Sequence, residues 1–153
     1  MLLEITKSVV LPARVDDVWA FVRDPERVAR CLPNLEAFKP EGGPDRFSTL
    51  LVERLGPFRV SIPLSITVRE GSPERAMIAA VAGDDRGGQA RVRGEVRASV
   101  GGSDGAVQLE VGSAVEVLGR LAGLGAVPMR RRGDQIFDQF VAAIGRALEA
   151  DRG

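Results

Sequence analysis

Histidine is the side chain that most often exchanges protons near neutral pH and most often holds a transition metal, and this sequence has none. It has no tyrosine either, so a phenolic acid is excluded. Cys31 is the single cysteine, which excludes an internal disulfide and a cysteine-cluster metal site and fits a reducing compartment. At a helix end that thiol could be reactive, although a buried, inert cysteine is the commoner case. The remaining acid–base candidates are Glu53, Asp134 and Asp138. Glu53 falls in the alternating set Phe47, Thr49, Leu51, Leu55, where an inward carboxylate would be a functional candidate. A solvated glutamate at a strand end is the expected state there. Asp134 and Asp138 lie on the polar side of a helix, so catalysis is not expected and no cofactor or metal is indicated. The strongest charge run is Arg130-Arg131-Arg132. It could meet a ligand head group, lipid phosphates or an acidic partner, but a solvated helix face is the default.

The helix that carries these arginines organises the chain. From Val127 to Ala150, Met129, Gly133, Ile136, Phe137, Phe140, Val141, Ile144 and Leu148 recur in steps of three and four, one apolar stripe. At about 1.5 Å per residue it is more than about 30 Å long and needs a large apolar surface beneath it. Pro128 falls in its first turn or at a kink. The lead-in from Gly119 to Val127 has Leu118, Leu121 and Leu124 at helical spacing, weakened by Gly119, Gly123 and Gly125. It reads as a hinge that gates a cavity, or as a bend that lets backbone approach backbone closely.

Everything before that lead-in reads as one antiparallel sheet with two helices inserted. Leu2 to Leu11 is a strand closed by Pro12. Val15, Val18, Trp19 and Val22 put a short helix over Arg14 to Arg23, with Trp19 in the core. Asp24 then caps a second helix, Pro25 to Cys31, with Pro25 at its first position and Pro33 closing it. Two short helices in succession form a V-shaped clamp rather than a crossover. From Leu35 the period is two. Phe58 to Arg69 alternates cleanly, Pro63 on its polar face suggesting a bulge or an edge. Gln89 to Val100 and Ala106 to Val117 repeat the alternation. Gly42 to Asp45, Gly56-Pro57, Gly71-Ser72-Pro73, Gly83 to Gly88 and Gly101 to Gly105 supply the turns. The order is one strand, two helices, a six-strand meander and the long helix. Residues 1–150 form a single domain, with 151–153 a tail.

Basic and acidic residues number 21 each, so charge gives no reason to expect nucleic acid or an anionic membrane as partner. The start, MLLEITKSVV, lacks the basic-then-apolar pattern of a signal peptide. No apolar run approaches the ~18 residues that span a bilayer. A soluble cytoplasmic protein is expected.

This order is that of the START-like (helix-grip, polyketide cyclase-like) superfamily, an α+β fold: a curved seven-stranded antiparallel sheet wrapped on a long C-terminal helix, with two short helices after the first strand. The chain resembles the CoxG family of carbon monoxide dehydrogenase subunits. Val18-Trp19, Asp24-Pro25, Cys31-Leu32-Pro33 with Glu36, and Leu55-Gly56-Pro57 carry the likeness. So do Gly119 with Leu121 to Gly125, and Ile136 to Phe140; Asn34 stands where the family usually has glycine. The likeness runs from about Glu4 to Leu148. It implies an accessory protein of molybdenum-containing carbon monoxide dehydrogenases and related hydroxylases, involved in their maturation or membrane recruitment, and a quinone- or lipid-like ligand in the cavity. Many members carry a C-terminal membrane anchor; this chain stops at Gly153, so the likeness supports the binding domain and not anchoring. Membrane contact is then at most transient, or made through a separate anchored partner.

The expected cavity lies between sheet and helix, where Ala90, Gly94, Ala98, Ser113 and, on one parity, Ala80 leave room beneath the aromatic stripe. Such a space takes an extended apolar ligand, because each unpaired polar group buried costs about 1–3 kcal/mol. The alternative is that Phe137, Phe140 and Trp19 fill it. The expected lining is Val60, Ile62, Leu64, Val92, Val111, Val115, Met129, Ile136, Phe137, Phe140 and Ile144. Leu121, Leu124, Arg130, Arg131 and Arg132 are candidates for a portal or a partner contact. A ligand-free chaperone of a molybdoenzyme would instead expose an apolar patch at Leu121 to Met129.

Overall fold

The computed structural model describes residues 1–72 and 75–152. Pro73 of the third turn and Gly153 of the expected tail lie outside them. Strand β1 (Leu2–Leu11) leads into helices α1 (Val15–Val22) and α2 (Pro25–Arg30). Strands β2 (Leu35–Pro40), β3 (Arg46–Leu55), β4 (Phe58–Gly71), β5 (Arg75–Asp84), β6 (Arg91–Ser103) and β7 (Ala106–Leu118) follow. A short 3-10 turn (Arg120–Leu124) precedes α3 (Ala126–Arg152). The helix thus continues through Asp151 and Arg152, which the sequence pattern assigns to the tail.

The sheet is antiparallel throughout, in the order β1-β7-β6-β5-β4-β3-β2, with the meander closed by β1 against β7. Its architecture is the α+β helix-grip one anticipated. Register follows the apolar alternation: Ile5 faces Ser113, Ser113 faces Val96, Val96 faces Ala79 and Ala79 faces Val68. On one side lies the row Leu3, Val115, Gly94, Val81, Ile66, Phe47. Because side chains alternate between faces, these rows fix one continuous concave surface. Pro63 pairs in register with Leu50, and the β4–β5 pairing begins only at Leu64. Pro63 therefore sits at a local edge, where its missing N–H disturbs no ladder.

Local chemistry sets the helix ends. Asp24 accepts from the backbone N–H groups of Glu26 (3.2 Å) and Arg27 (3.3 Å), and Pro25 occupies the first turn of α2. Arg14 at the start of α1 supplies no cap; Asp104, in the β6–β7 turn, accepts the Val15 N–H at 2.9 Å instead. Gly119 (φ 91°) and Gly125 (φ 87°) bracket the 3-10 turn in the left-handed region. A Cβ on Gly119 would lie 3.0 Å from the carbonyl oxygens of Gly88 and Gln89, and the N–H of Leu121 bonds Gln89 O at 2.8 Å. The lead-in is thus a close backbone approach of the 3-10 turn to the β5–β6 loop.

Two separate clusters form the core. One gathers Val18, Phe21 and Val22 of α1, Val100, Val107 and Leu109 of the sheet, and Phe140, Ile144 and Leu148 of α3. The other gathers Phe47, Val60, Ile62, Leu64, Ile66, Val92 and Val117 around Leu121 and Met129. Trp19 is half-buried against the first, with the Arg23 guanidinium 5.6 Å above its ring.

Candidate functional site

The two clusters hold α3 at its ends and leave its middle between them. Met129 belongs to one; Phe140, Ile144 and Leu148 belong to the other. Ile136 and Phe137 belong to neither and are half-buried. On the sheet beneath, Ile5, Val68, Ala79, Val96 and Ser113, one cross-strand row, are all half-buried, with Val68 and Ala79 packed against the second cluster. The small residues on and beside this row are Ala79, Ser113, Gly94 and Ala98.

The helix backbone runs closest to β1 and β3, near opposite rims of the sheet. Three consecutive residues make that bridge. A Cβ on Gly133 would lie 2.8 Å from Ile5 Cδ1, so only glycine allows this approach without a shift of Ile5. Lys7 Nζ donates to Asp134 Oδ1 at 2.9 Å, and that bond raises the lysine pKa. On the other rim Arg132 donates from Nε to both oxygens of Glu53 (3.1 and 3.0 Å) and from Nη2 to Oε1 (3.0 Å). Its Nη1 reaches Gln135 Oε1 at 3.3 Å.

These contacts correct the expectations for the charged groups. Glu53 is not a solvated strand-end residue: the register places it opposite Val60 on the concave face, with its side chain 8% exposed. Arg132 is not part of a solvated face either, at 27% exposure. Arg130 and Arg131 remain exposed. Lys7, on the inner register of the first strand, bridges to the helix. Glu53 and Asp134 are engaged by Arg132 and Lys7, and Asp138 is exposed.

Of the expected lining, Val60, Ile62, Leu64, Val92, Met129, Phe140 and Ile144 are buried within the clusters. Val111 and Val115 are half-buried, packed against the first and second cluster respectively, and Ile136 and Phe137 are half-buried outside both. Of the floor row, alternation sets Ile5, Val68, Val96 and Ser113 on inward faces, and Ala79 is the member it misses. Ala80 is exposed on the outer face opposite Glu95, and Ala79 points inward instead. Its strand is apolar on both faces, Ala76 and Ile78 being buried on the outer side, so no period-two signal fixes its parity. Leu121 is buried and Leu124 half-buried; within the anticipated apolar patch, Val127 is the exposed large side chain, at 66%. Cys31 is half-buried, and burial pushes its thiol pKa up. Separate clefts of about 270 Å³ open between α2 and β2, beside Ala29 and Phe38, and between the β5–β6 loop and Gly119.

Residues 8–149 match the family described as the CoxG subunit of carbon monoxide dehydrogenase. No curated protein matches the chain. Among solved structures, a conserved protein from Geobacillus kaustophilus is 20% identical with a TM-score of 0.83, covering 97% of this chain and 96% of that one. A START superfamily protein from Mycobacterium smegmatis is 17% identical with a TM-score of 0.69, covering 96% and 97%. At these identities the likeness is one of fold. The family match spans nearly the whole chain, which belongs to the CoxG family of carbon monoxide dehydrogenase subunits.

Proposed function

We propose that this CoxG family member binds an apolar, quinone- or lipid-like molecule between the concave sheet and α3, without transforming it. In this reading it is a cytoplasmic accessory or carrier protein for a molybdenum hydroxylase of the carbon monoxide dehydrogenase type. The family and the START-like fold support a ligand-binding accessory role. The observation that carries the reading is that Ile136 and Phe137, in the middle of α3, belong to neither core cluster and are half-buried, as is the row Ile5, Ser113, Val96, Ala79 and Val68 on the concave face. Apolar lining with few polar groups selects an extended apolar ligand. Among the described residues no helix is long and apolar enough to cross a membrane.

The test is native mass spectrometry of the purified chain, with solvent extraction and identification of what is released. The expected result is a stoichiometric quinone or lipid adduct, or uptake of added menaquinone. A bare protein that takes up no menaquinone would sink the carrier reading. It would favour docking on a molybdoenzyme, for which there is a specific observation. Val127 and Leu118 are exposed (66% and 43%) beside Arg120, Arg130 and Arg131, which form no ion pair among the described residues.

A further inference from the structure

Above the level of Lys7, the polar side chains that the register sets on the concave face are, among the described residues, Thr49, Glu53 and Ser113. Thr49 donates to Glu36 O at 2.7 Å and is satisfied. Glu53 lies among Leu51, Leu55, Phe58 and Val60, and its oxygens are taken by Arg132. Burying an ion pair in an apolar wall is a poor route to stability, since two well-packed apolar residues commonly do as well or better. Such a pair has another use in a ligand site, where a few placed polar groups fix orientation.

A guanidinium carries five N–H donors in a rigid fork. Glu53 and Gln135 engage Nε, Nη2 and Nη1 once each, which leaves one N–H on each terminal nitrogen. We propose that Arg132, oriented by Glu53, is the head-group anchor of the site, donating its remaining N–H groups to an acceptor oxygen such as a quinone carbonyl. Glu53 is the positioning residue. It holds the fork at the rim by Met129, so that the apolar tail of the ligand extends along the row from Ile5 to Val68. The inference rests on the reading of the concave face as a ligand site.

The experiment is competition binding to the full chain, read by native mass spectrometry. The two probes are menaquinone-4 and the naphthalene with the same methyl and tetraprenyl substituents. Wild type should prefer the quinone by about ten- to a hundredfold, the range of a charge-assisted hydrogen bond. Arg132→Met should bring the ratio near one; Arg132→Lys should fall between. If Arg132→Met folds poorly, Glu53→Leu/Arg132→Met keeps the wall apolar and should show the same lost preference. A wild type that binds both probes equally, or an Arg132→Met or double variant that keeps the quinone preference, overturns the anchor and leaves the carrier reading standing. A wild type that binds neither probe overturns both.

Discussion

Gly133→Ala measures whether the space beneath the middle of α3 is filled. Glycine in a helix interior costs about 0.8–1 kcal/mol relative to alanine, so propensity alone favours the substitution by that amount. Against it stands the contact with Ile5: the new Cβ would lie 2.8 Å from Cδ1, whereas carbon atoms rest at about 3.5–4.0 Å. Ile5 Cδ1 must therefore retreat by about 0.7 Å or more. If the gap is open, a partial χ rotation achieves that for about 0.5–1.5 kcal/mol. The net effect then lies between about 0.5 kcal/mol stabilising and about 0.7 kcal/mol destabilising. If the interior is filled, the methyl overpacks it and costs about 1–3 kcal/mol. Gly145, in the same helix with nothing within 4 Å of its would-be Cβ, supplies the baseline. Gly145→Ala should stabilise by up to about 1 kcal/mol, or about 2–4 °C in Tm for a chain of this size. Urea denaturation of both variants decides the matter, read as a midpoint shift at constant m. A Gly133→Ala variant more than about 1 kcal/mol less stable than wild type, with Gly145→Ala behaving as stated, refutes an unfilled space under this turn.

Two further outcomes follow from contacts outside the site. Asp104→Ala should destabilise by about 1 kcal/mol through loss of the cap on Val15, visible in thermal unfolding, whereas Asp104→Asn should recover most of it. Cys31, whose pKa burial raises, should react with a disulfide reagent at pH 8 more slowly than a free thiol. Because its folded pKa lies above the unfolded value, the thiol's share of stability is complete below the unfolded value. That share is lost as pH rises through the folded one, so Cys31→Ala should flatten the alkaline limb of stability against pH.

The frame is legible in the sequence because its signals are local. Alternation in Phe58 to Gly71, Asp24-Pro25, and the stripe from Met129 to Leu148 each repeat a physical requirement over a few residues. The charged contacts are harder to read because their partners lie far apart in the chain. Glu53 sits on the inward parity, but its justification is Arg132, which the run Arg130-Arg131-Arg132 disguises as solvated. A signal does exist: Arg132 is three residues after Met129 and four before Ile136, on the apolar stripe itself. An inward carboxylate facing an arginine on that stripe implies a pair. Lys7 carries the analogous signal, being two residues from Ile5 and two from Val9. The Asp104 cap on α1 has no such mark, since a turn aspartate is ordinary in its own hairpin.

The proposed ligand site needs open space beneath the middle of α3, and the placement of these contacts suits that need. Empty volume beneath a helix costs about 24 cal/mol per Å³, so it persists only if the helix is held elsewhere. Here it is held at both ends. Phe140, Ile144 and Leu148 seat the C-terminal half against α1, and Asp151 pairs with Arg27 of α2. Met129 seats the N-terminal end, where Arg132 grips β3 and Asp134 grips β1 on either side of Gly133. Between these anchors lie Ile136 and Phe137, half-buried and outside both clusters. Truncation at the ends and in the middle should then differ in kind. Ile144→Ala removes a fully buried side chain and should cost about 2–5 kcal/mol. Phe137→Ala, in the half-buried middle, should cost less stability because less of its side chain is buried, and on the proposed function should change ligand binding more.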